Sequence, residues 1–512
     1  MKYIITKLNE LDSRQAWTIA ILALTPLFIA ISLNRLIDGD EGFYLMAAKL
    51  ITQGRLLYLD FFYPQMPALP YIYATWFKLS GETWIAGRIL SALFAIFTGV
   101  LIFWFLKKRI ENNAISLLIL LLYVCSSLVF GWYLVVKTYS ISTFFLVLAI
   151  LLFLNRTSKF NFFLIFFSGL ALGVATEIRL FFAGVLPIFL AAICLEQFDI
   201  REKVIRILWF LTGFLVALTP ALYLLISQPD IFIFNNLGYH SLRTEGGLIG
   251  NIGQKFKVIE QLLGSRTFHA SIHSLQFLIL VILFWMTRRY PRDKDNWILL
   301  AFSISIFIIN LLPTPAFVQY FSVLIPILLL AIADQIDLVF KNKKLDDSAH
   351  PQSFYRWVSA LLIIYVVFSP IDMVRYTTWG KNVPGVDATY NWKLETIKEI
   401  ADWINNNTSP GETVLSWWPG YLIETHAQPV EKLENHFVSL VANKLSKDEL
   451  TRYKIISNEE ISHLIISRRI RVALVENVWT PDKDKVKATL GNAGFKLAKK
   501  IGDVEIYSLP AN

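Results

Sequence analysis

Apolar runs recur along most of the chain, at lengths near the roughly 20 residues that a helix needs to cross a bilayer. They fall near residues 17–36, 84–106, 114–131, 139–154, 161–177, 180–195, 207–226, 272–287, 297–312, 317–335 and 355–370, which predicts eleven transmembrane helices. Between the first two lies a long polar segment, 37–83. Within it Glu41 to Gln53 and Met66 to Leu79 read as amphipathic helices lying along the membrane interface, separated by LYLDFFYPQMP. A second long segment, 227–271, follows the seventh run. After residue 371 the pattern becomes that of a small α/β domain: a helix from Trp392 to Asn405, strands TVLSW, RVALVE and VEIYSLP, and helical stretches near 445–467. The chain thus divides into a membrane part, 1–371, and a polar domain, 372–512.

Charge supplies orientation. Hydrophobic residues make up 55% of the chain and charged ones 17%, well below the roughly 25% of soluble proteins. The polar domain carries 18 basic and 18 acidic residues, so the whole net charge of +9 resides in the membrane part. A basic groove for nucleic acid is therefore not indicated; the cations follow the loops instead. With the amino terminus inside, Lys107, Lys108 and Arg109, then Arg156 and Lys159, then Arg201, Lys203 and Arg206, then Arg288, Arg289, Arg292 and Lys294, then Lys341, Lys343 and Lys344 all fall in inside loops. The short outside loops hold Lys137, Arg179 or nothing, and an odd number of spans leaves the polar domain outside. This describes a multi-pass protein of the plasma (inner) membrane with an extracytoplasmic C-terminal domain. Cys125 and Cys194 both lie in apolar runs and indicate neither a disulfide nor a metal site.

Directly after the first run stands Asp38-Gly39-Asp40-Glu41-Gly42-Phe43-Tyr44. Three carboxylates at a membrane surface must be solvated, paired or used. One reading is a helix start, with Asp38 or Asp40 as cap. An EF-hand does not fit, because Phe43 occupies the position that requires glycine. Glycine-rich phosphate loops, zinc-spaced clusters and a Ser-His-Asp order are absent. In the polar domain Ser416-Trp417-Trp418-Pro419-Gly420-Tyr421 and His426 suit either sugar stacking or core packing.

The run from Asp38 to Leu93 resembles the first outside loop and second span of the GT-C class of membrane glycosyltransferases, in particular the bacterial and archaeal relatives of protein O-mannosyltransferases and the aminoarabinose transferases of lipid A. The shared pattern is Asp40-Glu41, Tyr44, Ala47, Gly54, Tyr58, Asp60, Pro64, Pro67 and Arg88. The resemblance implies a polytopic GT-C fold. It implies an inverting transferase that moves a sugar from a polyprenyl phosphate donor to a lipid, glycan or protein hydroxyl. In such an enzyme Asp40 is the choice for general base, with Glu41 assisting. The leaving phosphate needs cations or donors. Cations on the outer side, where the charge rule does not expect them, are the candidates: Arg88, Lys137 and Arg179, each of which could equally snorkel to headgroups. Tyr58, Asp60 and Gln65 of the first loop, His240 and Arg243 of the second, and Gln319 and Tyr320 at the outer start of the tenth span complete the substrate-binding set. No cofactor is called for with certainty. A divalent cation stays open, since family members often carry an acidic residue before the fourth span where this chain has Lys137-Thr138-Tyr139. The rival reading is a transporter or lipid-carrier flippase, or a relative that binds the carrier without catalysis; no repeat symmetry of the transporter kind is visible.

Overall fold

The structure, a computed structural model, describes residues 10–156, 161–243, 247–263, 275–343, 363, 365–379 and 393–510. The first span, α1 (Ser13–Asn34), opens with a reciprocal cap in which Asp12 accepts from the backbone of Gln15 while Gln15 reaches back to Asp12. Two helices of the first loop follow, α2 (Glu41–Thr52) and α3 (Ala68–Ser80), and then α4 (Trp84–Arg109). Thr83 caps α4, and Lys107, Lys108 and Arg109 sit at its C-terminal, negative end. Next come α5 (Asn113–Val124), α6 (Ser127–Trp132), α7 (Thr138–Leu154), α8 (Phe162–Ile178) and α9 (Leu186–Cys194). The chain continues through α10 (Ile200–Ala217), α11 (Thr219–Ser227), α12 (Leu275–Met286), α13 (Lys294–Leu311) and α14 (Leu324–Lys343).

Among the described residues four helices are long and apolar enough to span a bilayer alone, and α10 with α11, bent by 65° at their junction, is long and apolar enough only as a pair. The other apolar helices are shorter, 10–17 residues. Each of the first ten predicted runs corresponds to one of these helices; of the eleventh, residues 355–362 and 364 lie outside the described residues, and the described 365–374 are helical. The seventh run bends where Pro220 follows Thr219 and denies the backbone a donor. Against α8, the following α10 packs backbone to backbone. A Cβ added at Gly169 would stand 2.0 Å from the carbonyl oxygen of Phe210, and one at Gly213 would stand 2.1 Å from that of Phe166.

Basic residues predicted to share one face do meet there. Arg109 and Arg156 pair with the same carboxylate, Asp295, at 3.3 and 3.4 Å, and Arg156 and Arg206 share Glu196. The acidic loop, Lys137, Arg179 and the C-terminal domain gather at the opposite end of the bundle.

In that domain α15 (Leu394–Asn407) buries Ile397, Ile400, Ala401 and Ile404, the i, i+3, i+4, i+7 stripe of an amphipathic helix. Its sheet runs in the order β2 (Gln428–Pro429), β1 (Thr413–Ser416), β3 (Val472–Val475), β5 (Val504–Ser508), β4 (Lys496–Ile501). The first three strands are parallel and the last two antiparallel, with Val414 opposite Val472 and Leu474 opposite Ile506.

The domain sits directly on the first loop, and this changes the reading of α2. Instead of lying in the lipid interface, α2 is covered: every residue from Glu41 to Leu50 is buried. Close approach is allowed by Gly42, where a Cβ would fall 2.9 Å from the backbone of Gly420. Trp418 stacks on Trp84 at 5.8 Å and donates from its indole nitrogen to the carbonyl of Gly39 at 2.7 Å. Lys49, 3% exposed, donates to the carbonyls of Leu422, Ile423 and Thr425 at 2.8, 3.2 and 2.6 Å, which closes the turn after Pro419. Burial holds its ammonium down to about 8, with Glu82 opposing. Lys49→Met removes the shared donor of three carbonyls, of which that of Leu422 still accepts from Thr425, at a cost of about 1–3 kcal/mol. Faster hydrogen exchange at residues 419–425, with the sheet strands unchanged, is the expected result.

Candidate active site

The acidic loop is built by its own carboxylates, and each takes a different task. The carbonyl of Asp38 accepts from the amide of Glu41 at 3.0 Å, and its carboxylate accepts from the amide of Asp40 at 3.0 Å. Glu41 reaches back to the amide of Asp38 at 2.9 Å. Its two oxygens also receive Nη2 and Nε of Arg88, at 2.7 and 3.0 Å, and the amide of Val136 at 3.0 Å. Both side chains are wholly buried. The remaining nitrogen of Arg88 donates to the carbonyls of Ser32, at 2.9 Å, and Arg35. Glu41 and Arg88 therefore neutralise each other and knit α1, α2, α4 and the segment before α7. Neither is among the residues lining the cavity described next, so the sequence-based roles of assisting base and phosphate ligand find no support in its geometry.

The other two carboxylates face a cavity of 420 Å³ beneath the C-terminal domain. Lys137 lies between them, its Nζ 2.7 Å from Oδ1 of Asp38 and 3.0 Å from Oδ2 of Asp40. Burial raises the carboxyl of Asp38 above its ordinary range, with Lys137 opposing. For Lys137 burial works against the charge, but Asp38 and Asp40 outweigh it and hold the ammonium above the ordinary lysine range. Asp38 is 3% exposed and Asp40 is 32% exposed, so Asp40 is the carboxylate that a ligand can reach.

Of the sequence-predicted residues, the structure brings Asp40, Gln65, Lys137, Arg179, His240, Arg243, Gln319 and Tyr320 to this one cavity. The guanidinium of Arg179 sits between two rings, 4.8 Å from the centre of Tyr139 and 5.0 Å from that of Tyr320. Its Nε is buried without a hydrogen-bond partner. Arg243 lies over Phe437 at 5.1 Å. His240 meets the carbonyl of Pro64 at 3.1 Å, and burial, then Arg243, push its ring down to about 4, so it is neutral at physiological pH. The amide oxygen of Gln319 is buried and unpaired. Among the described residues no carboxylate pairs with Arg179 or Arg243.

Tyr58 and Asp60 are placed elsewhere. Tyr58 is buried with φ of 68°, a left-handed conformation, and its hydroxyl donates to the carbonyl of Gln65. Asp60 is exposed and accepts from the amide of Leu56 at 2.6 Å. They shape the turn that presents Gln65 without touching the cavity. His426, in the C-terminal domain, pairs with Thr408.

Sequence reasoning missed the upper wall. Phe437 and Trp479 of the C-terminal domain line the cavity, and the indole nitrogen of Trp479 is buried without a partner. Behind them His436, 2% exposed, packs 4.1 Å from the ring of Trp479 and 4.2 Å from that of Phe437. Burial, then Arg243 and Lys137, push it down to about 3. No local pattern marks these residues; Phe437 and Trp479 lie 42 positions apart in the chain.

The arrangement joins a reachable carboxylate, two arginines that have no acidic partner among the described residues, and an aromatic wall. No protein-family model matches the sequence, and no curated protein does. Solved structures do. The structure of ArnT from Cupriavidus metallidurans bound to undecaprenyl phosphate matches 97% of this chain and 98% of its own length, with TM-score 0.67 and 12% identity. The fold is GT-C. The archaeal oligosaccharyltransferase AglB from Archaeoglobus fulgidus, in complex with an inhibitory peptide and a dolichol-phosphate, shares the GT-C architecture over 97% of this chain and 74% of its own, with TM-score 0.51 and 14% identity. The mycobacterial arabinofuranosyltransferase AftD matches 98% of this chain but 42% of its own, with TM-score 0.50 and 14% identity. A GT-C fold accounts for the position of the cavity, between the helix ends and the polar domain.

Proposed function

We propose that the protein is an inverting glycosyltransferase that takes a sugar from a polyprenyl phosphate donor and passes it to a hydroxyl of a lipid, glycan or protein. Transfer takes place on the extracytoplasmic face of the plasma (inner) membrane. The observation that carries the reading is the cavity itself: one reachable carboxylate, Asp40, faces the same space as Arg179 and Arg243. Two neighbours of the same fold hold lipid phosphates, undecaprenyl phosphate in ArnT and dolichol-phosphate in AglB, which fits a cationic cavity at the helix ends.

In this reading Arg179 and Arg243 receive the donor phosphate. Lys137 is less free for that work, because Asp38 and Asp40 hold it. Asp40 accepts the proton of the acceptor hydroxyl as its oxygen attacks the anomeric carbon. The bond from that carbon to the phosphate oxygen breaks in the same displacement, so configuration inverts and the polyprenyl phosphate departs with its electron pair. Cations close to the departing oxygens stabilise the charge that develops there.

Purified protein with radiolabelled polyprenyl phosphate sugars tests the proposal. Arg179→Ala removes a charge-assisted contact, a loss of about 1.5–3 kcal/mol, or roughly ten- to hundredfold in donor affinity. Unchanged donor binding in Arg179→Ala and Arg243→Ala would remove the phosphate assignment. Absence of transfer from every polyprenyl phosphate sugar would remove the function.

A further inference from the structure

Two carboxylates one residue apart, beside a cavity suited to a sugar phosphate, form the start of a divalent-cation site. The rest of the surroundings do not complete it. Magnesium and manganese take oxygen ligands from several sides, and among the described residues no three His, Cys, Asp or Glu side chains converge. The space between Asp38 and Asp40 is filled instead by the ammonium of Lys137, in contact with both.

The ammonium has little freedom to leave. The side chain of Lys137 is 4% exposed. Its Nζ lies 4.8 Å from the centre of the Trp132 ring, and Trp132 is itself fully buried, so the indole face forms a fixed floor under the charge. Moving Lys137 aside would leave these two carboxylates with no cation in contact, one of them almost fully buried.

We propose that Lys137 is a built-in substitute for a divalent cation: it holds Asp38 and Asp40 together and positions Asp40 as the base, so that transfer needs no metal at this site. The ammonium is bound to one oxygen of Asp40 and leaves the other for the acceptor proton. A dication in the same place would lower the proton affinity of that carboxylate further, which works against its use as a base. Lys137 is thus a positioning residue, acting through Asp40.

The inference rests on the transferase reading for its catalytic meaning, but occupancy of the site can be measured without any transfer. Full-length protein in detergent is titrated with Mn²⁺ and followed by electron paramagnetic resonance, as wild type, Asp38→Asn, Lys137→Ala and Lys137→Ala/Asp38→Asn. Wild type is expected to show no Mn²⁺ site that Asp38→Asn removes, and its transfer rate is unchanged by EDTA. Lys137→Ala gains a Mn²⁺ site that the double variant loses. In EDTA its transfer falls by about 10²-fold or more, with partial recovery in Mn²⁺. A purely structural lysine would give no such gain of metal binding. An Asp38-dependent Mn²⁺ site in wild type, EDTA-sensitive wild-type transfer, or a folded Lys137→Ala that binds no Mn²⁺ overturns the proposal. Should Lys137→Ala fail to fold, the wild-type arm decides alone. A protein that transfers no sugar yet shows the expected Mn²⁺ pattern loses its assigned function and keeps this ion pair.

Discussion

Asp40→Asn is expected to lower sugar transfer by about 10²–10⁴-fold, the range that a positioned general base contributes, while donor binding changes little. The substitution keeps size and shape and removes the lone-pair basicity that must accept the hydroxyl proton. Its structural consequences are modest: the side chain makes no cap hydrogen bond to α2, and the backbone amide still donates to Asp38. Lys137 keeps one carboxylate partner, Asp38 at 2.7 Å. A single-turnover assay at saturating donor separates the two effects, since a base deletion lowers the rate and spares affinity. Wild-type turnover in a folded Asp40→Asn protein would exclude Asp40. The next carboxylate to test would then be Asp38, which is 3% exposed.

Arg88→Met is expected to act differently, as a stability lesion. It leaves Glu41 charged in a site with no exposure, and losing one member of a buried pair costs about 3–5 kcal/mol. The carbonyls of Ser32 and Arg35 lose their donor as well. Reduced yield of folded protein and a markedly lower Tm in detergent should follow. The double variant Glu41→Gln/Arg88→Met should recover a substantial part of the loss, because no unpaired charge is left behind. A phosphate ligand would behave in the opposite way: Tm would be preserved, donor affinity lost, and the second substitution would restore nothing. Thermal denaturation and donor binding on the same three proteins decide between the two.

These two variants show where the sequence is informative and where it stops. A bilayer span must be long and apolar, so the helices leave a one-dimensional signature, and the basic loops reveal which ends share a face. The α/β pattern of the C-terminal domain is legible for the same reason, although the two-residue β2 and the lysine-rich β4 are too short or too polar to register. The carboxylates are another matter. Asp38, Asp40 and Glu41 look alike in a row of four residues, and their tasks are set by partners that arrive from far along the chain, Arg88 on α4 and Lys137 before α7. The charge rule marks Arg88, Lys137 and Arg179 as unusual. It does not say whether such a cation faces a carboxylate or an empty space, and the three divide on that question. Phe437 and Trp479 reach the cavity only through docking of a domain, which no local pattern encodes.

The hydrogen bond from Trp418 to Gly39 joins positions 379 residues apart. A chain made from its amino terminus places the acidic loop in the membrane region long before the indole that secures it exists. The cavity lacks Phe437 and Trp479 until the final part of the polypeptide has been synthesised and folded. A truncated or stalled product would carry every carboxylate and arginine of the site and still present an unroofed pocket. Completion of the cavity is thus tied to completion of the polypeptide.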